Sequence, residues 1–154
     1  MSSEQDKAFV ELAIFREFVN KANLPVRPES IKKPGEHSEP DIFCTMNNGE
    51  EVAFELVEIC ADDLASRITK QLNGVAKTTS STFDPTENIL RQKLHKTYKT
   101  QLPIELLCYT NGRVVSPDCR IIVEARRWTD AIEGPFRKVW LLGEYDVYEI
   151  WQAS

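Results

Sequence analysis

Asp41 and Glu55 stand fourteen residues apart, on either side of the turn-like triplet Asn47-Asn48-Gly49. Paired carboxylates support proton transfer or cation binding only if they meet in space. A three-residue loop at Asn47-Asn48-Gly49 pairs Met46 with Glu50 and sets Asp41 opposite Glu55 on one sheet face. A two-residue loop shifts the pairing and puts the two carboxylates on opposite faces. Both registers stay open at the level of sequence. Helical periodicity singles out two further ionisable residues. Glu11 is the only carboxylate on the apolar face of the first helix, and Lys93 is the one basic residue inside the apolar arc of a later helix. A buried lysine usually has a partner. Arg91, Lys96 and Lys99, with His95 among them, form a basic run that is either a solvated face or a phosphate contact.

Other chemistries lack their residues. The chain has no phosphate-cradling glycine loop, no nucleophile elbow and no Cys/His dyad spacing. Cys44, Cys60, Cys108 and Cys119 include no C-x-x-C pair, and His37 and His95 are the only histidines, so the thiols are expected to be reduced core residues. Glu58 is expected to be a solvated strand residue. Trp140, Tyr148 and Trp151 are expected in the core or a subunit interface.

The elements that must position these groups follow from pattern. A helix is expected over about Gln5 to Ala22, with Ala8, Leu12, Ile14, Phe15, Phe18, Val19 and Ala22 on one arc. Leu24 to Lys33 is punctuated by prolines and suits a short edge strand. Asp41 to Met46 and Glu51 to Cys60 form the arms of a hairpin. A helix over about Asp62 to Leu72 and a loop over Gly74 to Asp84 come next. Asp84, Pro85 and Glu87 start a third helix that runs to about Lys99, with Ile89, Leu90, Leu94, Thr97 and Tyr98 inward. Ile104 to Thr110 is apolar enough for a buried central strand. Ser116-Pro117 opens a fourth helix with Ile121, Ala125, Trp128 and Ile132 on one face, Gly134-Pro135 stops it, and Phe136 to Trp151 holds two strands. The sum is one α/β domain over residues 1–154, a mixed central β-sheet flanked by helices.

Net charge is −5, which argues against strong non-specific binding to nucleic acid without excluding a local basic patch. No apolar run approaches the roughly 20 residues that span a bilayer. The N-terminal stretch MSSEQDKAFV has no basic region followed by a long apolar one, so a cytoplasmic protein without a membrane partner is expected.

The segment EPDIFCTMNNGEEVAFELVEI resembles the PD-(D/E)XK hairpin of restriction-endonuclease-like nucleases. The order of elements around it is similar to that superfamily's αβββαβ core. Leu24 to Lys33 serves as the first core strand, the likeness spans about Gln5 to Thr110, and a helix and β-hairpin extend it. The resemblance implies a metal-dependent phosphodiesterase acting on DNA or RNA. Asp41 and Glu55, with Glu11 from the first helix, would hold magnesium or manganese, hard ions that take carboxylate, water and phosphate oxygens. Val57 stands where the motif lysine belongs, two residues after Glu55. Some members carry a migrated basic residue, and Lys93 is the candidate here, with Asp41 or Glu55 as its expected partner. Other members have lost activity, so the alternative is an inactive domain that binds protein or nucleic acid, for which the acidic charge favours a protein. A third reading is an unrelated α/β domain, a small-molecule binder or an assembly subunit. A homo-oligomer is compatible with all three.

Overall fold

The computed structural model describes residues 3–34, 40–59, 86–110 and 117–153. The expected helix over Asp62 to Leu72, the loop after it, the Asp84-Pro85 start signal, Cys60 and His37 lie outside the described residues.

Helix α1 spans Ser3–Ala22. Its arc behaves as the periodicity requires: Phe15 and Phe18 are fully buried, and Glu11 is buried with them. Asn23 ends the helix in the left-handed region at φ 55°. The next segment does not form the continuous edge strand expected of it. It touches the sheet edge at two single bridges, Val26 to Met46 and Lys32 to Phe43, separated by the 3-10 turn Pro28–Ser30. Pro28 has no N–H to give a ladder. Ser30 takes over part of that role, since its Oγ accepts the Thr45 N–H at 2.8 Å.

Strand β1 (Ile42–Thr45) and strand β2 (Glu51–Glu58) form the expected hairpin. Met46 N–H bonds Glu50 O at 2.8 Å, so the connection is the three-residue loop. Gly49 sits in it at φ +93°, a conformation that side chains rarely adopt. Gly49→Val should therefore cost on the order of 1 kcal/mol, seen as a lower Tm by calorimetry. An unchanged Tm would show that the loop tolerates a Cβ.

Helix α2 (Thr86–Leu94), strand β3 (Ile104–Tyr109), helix α3 (Asp118–Ala131) and strands β4 (Lys138–Leu142) and β5 (Val147–Gln152) follow. The sheet order is β1-β2-β3-β4-β5. The β1/β2 and β4/β5 pairs are antiparallel, and β2/β3 and β3/β4 are parallel. Both parallel crossovers step the same way across the sheet. Such crossovers are right-handed in about 98% of cases, so α2 and α3 share one face and α1 is left to cover the other.

Strand alternation divides the core accordingly. Val52, Phe54, Leu56, Leu107 and Trp140 meet Phe15 and Phe18 on the α1 side. The Phe15 and Phe54 rings lie 4.8 Å apart, and those of Phe18 and Trp140 lie 5.2 Å apart. Ala53, Leu106, Cys108, Val139 and Leu141 meet Leu90, Leu94, Ile121 and Ala125 on the other side. Every residue of β3 is buried, as expected for a central strand. Tyr148 and Trp151 pack against this second cluster.

Helix α2 is shorter than its pattern suggests, and it ends at Leu94 rather than near Lys99. The Arg91 carbonyl faces both the His95 amide, at 3.2 Å, and the His95 ring, at 2.8 Å, while Lys96 N–H closes a tighter turn onto Lys93 O. Thr97, Tyr98 and Thr100 are weak helix formers, and Tyr98 instead stacks obliquely on Phe136 at 5.8 Å. Thr97 is consequently exposed, not inward. Cys44 and Cys108 are buried free thiols, both pushed up to about 12 by burial and therefore unreactive. Cys119 departs from expectation and is exposed.

Candidate active site

The hairpin register sets the site. Ile42 pairs with Phe54, so Asp41, one residue before Ile42, lies opposite Glu55. One Asp41 oxygen, Oδ2, accepts the Leu56 N–H at 2.9 Å, which anchors the carboxylate at the open end of the ladder. Glu55 alternates with Phe54 and Leu56 and so faces away from α1, toward α2. It is 1% exposed.

Lys93 meets it there. Its Nζ donates to Glu55 Oε2 at 2.8 Å, and Lys96 Nζ stands 3.7 Å from the same oxygen. Val57, two residues on and therefore on the same face as Glu55, is partly buried against the α2/α3 core. An amine thus reaches Glu55 from the helix covering that face. Glu55 Oε1 is buried with no hydrogen-bond partner among the described residues. An acceptor left in that condition ordinarily costs about 1–3 kcal/mol, so it marks a place where a proton or a cation is favoured.

Burial raises the Glu55 pKa, and the facing Asp41 carboxylate raises it further, against the opposing pull of Lys93. The folded chain therefore holds a proton here to higher pH than the unfolded chain does. The stability that Glu55 contributes is fully present below the ordinary carboxylate range and is lost as pH rises through its folded value. In chelator, the Tm of the wild type relative to Glu55→Gln should fall as pH rises above the ordinary carboxylate range. A pH-independent difference in calorimetry would show that the group is not shifted upward.

No match to this chain was found among protein-family models, curated proteins or solved structures. Function is therefore read from the geometry. Asp41, Glu55, Lys93 and Lys96 come together. Glu11, expected beside the carboxylates, is engaged instead with Lys33, whose Nζ lies 2.7 Å from Glu11 Oε1 and 3.0 Å from the Asp41 carbonyl. Arg91 pairs with Glu87 at 3.3 Å and lies over the Trp128 ring at 5.2 Å, on the side of α2 that meets α3. Lys99 is exposed beyond the helix.

Sequence reasoning passed over Lys33. Nothing in its local pattern sets it apart, because its partners are 22 and 8 residues away. It also passed over two buried acids that hold the scaffold. Glu105 accepts from Trp140 Nε1 at 2.7 Å and Arg137 Nε at 2.8 Å. Asp118 accepts the Glu144 N–H at 3.0 Å and fixes the β4/β5 turn. Glu105 is a lone acid in an apolar run, a signal that marks burial with a partner, whereas Asp118, between Ser116-Pro117 and Cys119-Arg120, carries no such signal.

No group of three or more His, Cys, Asp or Glu side chains able to hold a metal ion occurs among the described residues. A magnesium-type site needs fewer, because water and substrate phosphate complete its shell around one or two carboxylates. Asp41 and Glu55, with the buried, unpartnered Glu55 Oε1 among the described residues, fit that donor set. Among the described residues no helix is long and apolar enough to cross a membrane.

Proposed function

We propose that this chain is a divalent-cation-dependent nuclease, hydrolysing phosphodiester bonds of DNA or RNA. One observation carries the reading: in a hairpin that sets Asp41 opposite Glu55, α2 delivers Lys93 Nζ to 2.8 Å from Glu55 Oε2. That arrangement resembles the carboxylate pair and lysine of the PD-(D/E)XK hairpin, with the lysine on a helix in place of the strand. The order of strands, with the irregular Leu24–Lys33 edge beside β1 and β3 parallel to β2, agrees with the αβββαβ core.

Asp41 and Glu55 are the residues that would hold magnesium or manganese. Such an ion, when bound, polarises a phosphate oxygen and acidifies water. Lys93 donates to Glu55 and opposes the rise of its pKa, and its ammonium would stabilise negative charge developing on phosphate. Lys96 is 37% exposed in its side chain, close enough to the pair to contact an adjacent phosphate. Arg91 and Lys99 are more distant phosphate contacts on this reading.

The test is incubation with single- and double-stranded DNA and RNA in magnesium or manganese, with chelator beside it. Cleavage that chelator stops is the expected result, and no cleavage of any of the four substrates overturns the proposal. The second reading, an inactive domain that binds a partner, draws on Val57 and the net charge of −5. Absence of cleavage moves the weight to it.

A further inference from the structure

Asp41 lies where the chain enters β1 from a bend, before the ladder begins. Two bonds hold it. Its Oδ2 accepts the Leu56 N–H at 2.9 Å, and its carbonyl accepts Lys33 Nζ at 3.0 Å. Lys33 in turn is paired with Glu11 at 2.7 Å, the acid being 4% exposed and the lysine side chain 22%. Lys32 opposes Phe43, so alternation turns Lys33 to the α1 face, opposite the Glu55 carboxylate.

An exposed ion pair contributes little to stability, and a buried one is often replaceable by apolar side chains. A pair kept here, with its second donor bond spent on the Asp41 main chain, is suited to fixing a position. We infer that Lys33 and Glu11 are positioning residues for Asp41. Glu11 orients Lys33 from α1, Lys33 holds the Asp41 carbonyl, and the Asp41 carboxylate is thereby kept at the Leu56 amide and opposite Glu55. This assigns Glu11 a role behind the carboxylate pair rather than in a metal shell. Its functional meaning rests on the proposed role of Asp41.

The experiment follows the Leu56 amide by NMR in metal-free protein, with the Ala53 amide, bonded to Pro103 O at 2.9 Å, as the internal control. In Lys33→Met, exchange at Leu56 should quicken about tenfold, the equivalent of one lost hydrogen bond, with Ala53 unchanged. Glu11→Gln, which keeps a hydrogen-bond acceptor for Lys33, should give a smaller change in the same direction, and Lys33→Arg should restore protection. Manganese affinity, read by paramagnetic resonance, should fall about 10- to 100-fold in Lys33→Met. Leu56 exchange that stays at the wild-type rate in folded Lys33→Met and Glu11→Gln overturns the inference. A quickened Leu56 amide in Lys33→Met, with a wild type that binds no manganese, upholds the positioning role and instead removes the nuclease reading.

Discussion

Asp41→Asn should leave the chain folded while lowering cation-supported cleavage about 1,000-fold or more, the equivalent of roughly 4 kcal/mol of transition-state stabilisation. The substitution is close to isosteric. Its amide oxygen can still accept the Leu56 N–H that Asp41 Oδ2 accepts at 2.9 Å, so the anchor at the end of the ladder survives. What disappears is the charge facing Glu55. Manganese affinity and kcat should fall together, with the Tm little changed. Glu55→Gln should act in the same direction, and the double variant should be no worse than the more damaging single one, because groups serving one centre are not additive. Cleavage that survives Asp41→Asn would place the chemistry elsewhere in the molecule.

Lys93→Met should lower kcat about 100- to 1,000-fold, the usual range for removing one donor to a developing negative charge. It also strips Glu55 Oε2 of its 2.8 Å partner and leaves Lys96 at 3.7 Å. Lys93 lowers the pKa of Glu55, so without it the carboxyl titrates higher still. Residual activity should accordingly rise to its plateau at higher pH than in the wild type. Breaking a buried pair ordinarily costs about 3–5 kcal/mol. Proton uptake by Glu55 and the remaining Lys96 place this case at the low end, which calorimetry can check. Lys96→Met should have a much smaller effect on kcat and weaken substrate binding instead. A pH profile unmoved by Lys93→Met would show that the lysine does not act through Glu55.

The expected strands were legible because their signals are local. Ile104 to Tyr109 is buried throughout, as its unbroken apolar run implies. The Asn-Asn-Gly turn announced the hairpin. Helical spacing placed Glu11 with Phe15 and Phe18, and Lys93 between Ile89, which is buried, and Thr97, which is exposed. The failures are equally specific. Periodicity carried α2 on to Lys99, but the His95 ring and the packing of Tyr98 on Phe136 end it at Leu94. Leu24 to Lys33 has the composition of an edge strand, yet Pro28 breaks its ladder into two bridges.

The amino-acid sequence alone determined which residues are candidates: two carboxylates flanking a turn, and one acid and one base on inward helical faces. It could not determine which of them meet. The choice between a two- and a three-residue loop is decided by burial of both hairpin faces, since a one-residue slip would exchange Phe54 for Glu55 against α1. The meeting of Lys93 with Glu55 is decided by crossover handedness, which brings α2 to the face that Glu55 and Val57 share. The diversion of Glu11 to Lys33 joins residues 22 positions apart on a face that carries no carboxylate of the pair. Periodicity reports only which way a side chain points on its own element. Contact between elements depends on register, handedness and the competition for partners, and those exist only once the chain has folded.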